Sequence, residues 1–169
     1  MKDPITSILD EFTDALETII EGNACNAGYT FKNTVKPKFI YQGDLPLEAC
    51  GGYPALCIWP SNEVTNSGNY SSQRFDETVT IFVRCIVERQ TNSRDAILSL
   101  KQDVQNAIFT AWFPTTGNLR ANVKADSGAD VAMIKKEAVP EIWFPADASD
   151  YGFCGITFSV NYRYVATNF

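Results

Sequence analysis

The chain contains no histidine. That removes the commonest general base, the imidazole of most nucleophilic triads and the commonest metal ligand. No two cysteines stand at CxxC spacing: Cys25, Cys50, Cys57, Cys85 and Cys154 are odd in number and irregularly placed. A zinc site without imidazole would need a tighter thiolate set. GxGxxG, Walker A and GxSxG motifs are all missing, and with them the signatures of dinucleotide, nucleotide and hydrolase sites. The N-terminus MKDPITSILDEF has no apolar h-region, and no run approaches the length that spans a bilayer. We therefore expect no cofactor, no metal, no membrane partner and no enzymatic activity. The cysteines read as reduced structural residues of a protein folded in the cytosol.

What is present is enough for a core. The chain has 169 residues, 45% of them hydrophobic and 12% aromatic, which predicts one domain over residues 1–169. Twenty acidic and fourteen basic side chains give a net charge of −6. That excludes a general affinity for nucleic acid. The acid is concentrated near the start, where Asp3, Asp10, Glu11, Asp14, Glu17 and Glu21 face Lys2 alone. A solvated helix face accounts for this. So does a negative surface that DNA slides past, with Asp10 and Asp14 as its candidate residues.

Asp3-Pro4 reads as an N-cap and first helical residue. Ile5, Ile8, Leu9, Phe12, Leu16, Ile19 and Ile20 then recur at helical steps up to a stop at Gly22-Asn23. A strand is expected near Val35–Tyr41, with Pro37 placing it at an edge. Another covers Tyr53–Trp59. The polar stretch SNEVTNSGNYSSQR at 61–74 reads as a long flexible loop. From Phe75 to Glu88, apolar and polar residues alternate, which predicts a half-buried strand; Phe82 and Ile86 break its polar face. They either pack under a helix or are exposed for a partner. A second helix opens at Asn92 or Ser93 and carries Ile97, Leu100, Val104, Ala107, Ile108, Ala111 and Trp112. Strands are expected at Leu119–Ala125, Val131–Glu137 and Cys154–Tyr164, with a loop over 140–153. The class is α+β: a single mixed or antiparallel sheet with two amphipathic helices packed on it.

Two local patterns carry possible chemistry. Asp126-Ser127-Gly128-Ala129-Asp130 resembles the signature of retropepsin-like aspartic proteases, where one such aspartate from each of two subunits forms the dyad. A polar turn between two strands explains the same residues. Lys32, Lys36 and Lys38 beside Phe31, Phe39 and Tyr41 suggest a small nucleic-acid patch or, more simply, lysines that protect a sheet edge.

The organisation as a whole resembles the tail terminator (tail completion, minor tail) proteins of long-tailed bacteriophages. The resemblance runs through the N-terminal helix, the strand PALCI at 54–58 and the polar stretch 61–74. It continues through TVTIFVRCIVER, the helix Asp95–Trp112 and the closing strand GITFSVNYRYV. It implies a small sheet flanked by helices and assembled as a homo-oligomeric ring, commonly a hexamer. Such a ring caps the tail tube, stops its polymerisation and meets the head connector, with DNA passing through the lumen. It further implies a virion protein assembled in the host bacterial cytoplasm. A neighbouring head–tail connector protein is the alternative. The candidate ring and tube contacts are Phe82, Arg84, Ile86, Glu63 and Arg74.

Overall fold

The computed structural model describes residues 1–21, 39–46, 49–69, 73–88, 93–113, 115, 117–137, 142–143 and 150–165. The elements run α1 (Pro4–Glu21), β1 (Phe39–Gln42), β2 (Ala55–Asn69), β3 (Arg74–Glu88), α2 (Ser93–Trp112), α3 (Leu119–Ser127), β4 (Asp130–Lys136), β5 (Ile142–Trp143) and β6 (Tyr151–Val165). The fold is α+β, as expected. One mixed sheet has the order β1-β2-β3-β6-β4, with the short β5 also pairing with β6. Only β1 with β2 is parallel; the other neighbours are antiparallel.

α1 begins where the sequence places it, because the Asp3 carboxylate accepts the Thr6 backbone N–H at 3.0 Å. Its stripe Ile8, Phe12, Leu16 and Ile19 is buried against the sheet. Ile97, Leu100, Val104, Ala107 and Ile108 of α2 bury the matching stripe. Both helices meet Val79, Ile81, Val83 and Cys85 of β3 and Cys154, Ile156, Phe158 and Val160 of β6 in one core. Phe158 is its pivot: its ring lies 5.7 Å from Phe12 and 6.0 Å from Phe109, edge-on to both.

Residues 119–125 form part of a third helix and not the expected strand. Leu119, Val123 and Ser127 are its buried positions. Their four-residue spacing also satisfies the apparent alternation Leu119, Ala121, Val123, so the pattern alone does not separate the two periods. Gly128 settles it locally. With φ +75° it takes the left-handed cap position, and its N–H reaches the Lys124 carbonyl at 2.9 Å.

The loop expected at 61–74 is also corrected. β2 continues through Asn69 and β3 starts at Arg74, so most of the stretch is one long hairpin. Backbone ladder bonds hold it, with Val64 as the single hydrophobe of residues 61–69, a pattern with no hydrophobic period to read. Asn66 donates to Thr78 at 2.5 Å, and Thr78 donates to Asn161 at 2.9 Å. The loop expected over 140–153 includes β5 and the start of β6. Within the strand expected at 35–41, β1 begins at Phe39; Phe31, Lys32, Lys36 and Lys38 lie outside the described residues.

Candidate functional site

The sheet face away from the helices carries a second, smaller cluster. Cys50, Tyr53, Ala55, Cys57 and Ile86 are buried there, with Tyr41, Leu45, Trp59, Tyr151 and Phe153 packed around them. Residues 44–46 and 49–54 therefore cover this end of the sheet. That corrects the placement of Ile86 as a ring contact: it is fully buried. It packs under these residues and not under a helix.

Arg84 is also turned inward. Its guanidinium pairs with Asp44 at 2.6 Å and donates to the Leu45 carbonyl at 3.3 Å. It lies 5.1 Å from the Trp59 ring centre and 5.5 Å from that of Phe153. This geometry makes Arg84 a rivet between β3 and the covering segment, with 21% of its side chain left accessible. Phe82 is half-buried, its ring 4.7 Å from Trp59. It fills the space over Gly155, where an added Cβ would come within 2.4 Å of its ring. Burial pushes the Cys50 thiol up to about 11, and Cys57 beside it adds to the shift. Cys50, Cys57, Cys85 and Cys154 are free and buried.

Glu63 and Arg74 do lie on exposed hairpin, Glu63 on β2 and Arg74 at the start of β3. Sequence reasoning did not find what surrounds Glu63. The Tyr162 hydroxyl is hydrogen-bonded to Glu63 and, at 2.8 Å, to the buried Glu77. Thr65 and Tyr164 reach the other Glu77 oxygen at 3.3 and 3.4 Å. One phenolic proton cannot serve two carboxylates, so one carboxyl is favoured in its protonated form. The Tyr162 bond pulls Glu63 down, but burial and the neighbouring Glu77 carboxylate raise it more, and the net direction is up.

The pH dependence follows. A carboxyl raised in the folded state adds stability that is complete below the ordinary carboxylate range. That stability fades as pH rises through the raised folded value. Glu63→Gln keeps a donor to the cluster and does not titrate. Thermal unfolding should show it equal to the unmodified chain near pH 4 and progressively more stable than it towards pH 7. Curves that stay parallel over that range would contradict the shared proton.

Of the two α1 acids, Asp10 is partly neutralised. Lys2 bridges Asp10 at 3.3 Å and Asp126 at 2.9 Å, and Gln42 donates to Asp10 at 3.1 Å. Asp14, one turn on, is exposed. Asp126 sits in the last turn of α3, with its carboxylate on Lys2. Ser127 is buried, donates to the Val123 carbonyl at 2.7 Å and accepts the Ala129 N–H at 3.2 Å. Asp126, Ser127 and Gly128 thus end a helix here; they do not form a turn between two strands. Among the described residues, no group of three or more acidic or cysteine side chains could hold a metal ion, and no helix is long and apolar enough to cross a membrane. Compared with models of known families and with curated proteins, the sequence matches none of them.

Proposed function

We propose that the chain is a structural protein of a long-tailed bacteriophage virion, a tail terminator whose subunits close into a ring on the end of the tail tube. The observation that carries this reading is the order and packing of the elements. An amphipathic helix leads into a hairpin of two fifteen-residue strands; a second helix and a closing fifteen-residue strand against that hairpin follow. All the helices meet one side of the sheet. This is the arrangement that the resemblance to tail terminators implies. The partners are further copies of the chain, the tail tube protein and the head connector.

Two features support it. The hairpin from Pro60 to Asn66 is exposed, which leaves it free to meet a neighbouring disc. Asp14 and Glu17 add negative charge to the exposed side of α1, which suits a lumen that DNA crosses without sticking. Adding the purified chain to polymerising tail tube protein tests the reading. Short tubes, each closed at one end by a ring, are expected. A chain that binds the head connector and leaves tube growth unaffected would belong to the neighbouring connector instead.

A further inference from the structure

The sheet has two edges to which no further strand among the described residues pairs. β1 pairs with β2 only from Ala55 to Ile58, so β2 is open from Pro60 onward. On the other side β4 ends the strand order. An open edge is a row of unpaired backbone donors and acceptors, ready to accept another strand.

Three properties make these two edges fit each other. The first is polarity. β2, β3, β6 and β4 alternate in direction, so β2 and β4 run opposite ways. A second copy set beside the first by rotation brings its β2 antiparallel to the first copy's β4, and the alternation continues unbroken. The second is length. Register shifts at Pro60/Asn62 and Thr65/Ser67 bracket a regular stretch Asn62–Thr65 on β2. A shift at Val131/Met133 leaves the regular stretch Met133–Lys136 on β4. With Val64 set against Met133, three pairs fall inside both regular stretches, Asn62 with Lys135, Glu63 with Ile134 and Val64 with Met133, and the bulges stop the pairing from spreading.

The third is side-chain chemistry. Val64, Thr78, Asn161 and Met133 form one row straight across the sheet. Its two ends, Val64 and Met133, are exposed large hydrophobic residues, 49% and 43% accessible. In the register that continues this row, Val64 of one copy lies directly opposite Met133 of the next, and both leave water. The same register sets Asn62 against Lys135 and places Lys136 diagonal to Glu63, within reach of a long side chain. Lys135 and Lys136 have no carboxylate partner among the described residues. Glu63 has Glu77 and Asp3 as its charged neighbours, both acidic. A lysine from the next copy supplies the missing countercharge.

We infer that Asn62–Val64 of one copy adds as an antiparallel strand to Met133–Lys135 of the next, so that one sheet runs from subunit to subunit. Such a head-to-tail contact uses two different surfaces and closes into a ring when the rotation permits. The inference deepens the ring reading above by naming the surfaces that join.

The experiment combines hydrogen exchange on the unmodified chain with a cysteine pair. Amide exchange at 62–64 and 133–135 should slow at least tenfold in the assembled form relative to the dilute monomer. The combined Val64→Cys and Met133→Cys variant, treated with a mild oxidant, should give a ladder of disulfide-linked oligomers on a denaturing gel. Its top rung counts the subunits. The unmodified chain, with Cys50, Cys57, Cys85 and Cys154 buried, is the control. A ring without slowed exchange at these edges overturns the inference and leaves the ring reading standing. Slowed exchange in an assembly that does not act on tail tubes does the reverse. Protection that appears only when tube protein is added, or a chain that stays monomeric at all concentrations, also overturns it.

Discussion

Phe158→Ala is expected to cost about 3–5 kcal/mol of stability and to lower the melting temperature by roughly 10 °C. The reasoning is local. Phe158 is fully buried on β6 and touches an aromatic ring from each of two helices, Phe12 on α1 and Phe109 on α2. Removing it leaves a cavity at the point where both helices rest on the sheet, and neither helix can collapse into it without losing its place on the other. Thermal unfolding followed by circular dichroism measures the effect. A loss under about 1 kcal/mol would mean that the helices are held elsewhere.

Arg84→Ala is expected to release Asp44 and Leu45, and with them the cover over Cys50 and Cys57, at a cost of about 2 kcal/mol, since one charge-assisted pair and two ring contacts go together. The variant strands the Asp44 carboxylate and opens the space between Trp59 and Phe153. The direct readout is chemical. In the unmodified chain Cys50 and Cys57 are buried and burial raises both thiols, so a thiol reagent near pH 8 should label them slowly. In Arg84→Ala, labelling of these two should speed up by about tenfold or more, because local opening now takes about 1.4 kcal/mol less. Cys85 and Cys154, under the helices, serve as the internal reference. Equal labelling rates in the two proteins would show that the cover is fastened without Arg84.

The sequence and the structure agree where one face of an element is apolar and the other polar. β3 and β6 are legible because Val79, Ile81, Val83, Cys85 and their counterparts on β6 alternate into a single core. The stripes of α1 and α2 are legible for the matching reason at the helical period. Two places break this logic. The outer half of β2, residues 61–69, has Val64 as its single hydrophobe, so its strand character lies in backbone pairing with β3, which leaves no hydrophobic period. In α3, Leu119 and Val123 suit either period, and Gly128 is the feature that separates them.

The candidate site was legible in outline only. Phe82 and Ile86 do mark an apolar patch on the outer face of β3, but the chain's own Leu45, Cys50 and Tyr53 cover that patch at Ile86. That contact joins segments more than thirty residues apart, and no local spacing signals it. The sequence reads Glu63 as part of an exposed loop; it is exposed but lies on β2, and its link to Tyr162 spans 99 residues. The pairing of Val64 with Met133 across one row depends on register, which is visible only once the strands are aligned.

The proposed role is to close the end of a tube. Electron microscopy of tail tube protein polymerising with increasing amounts of the chain tests it most directly. The account predicts that mean tube length falls as the chain is added, with a ring at one end of each tube and free rings in the background. Tubes of unchanged length beside a chain that remains monomeric would contradict it.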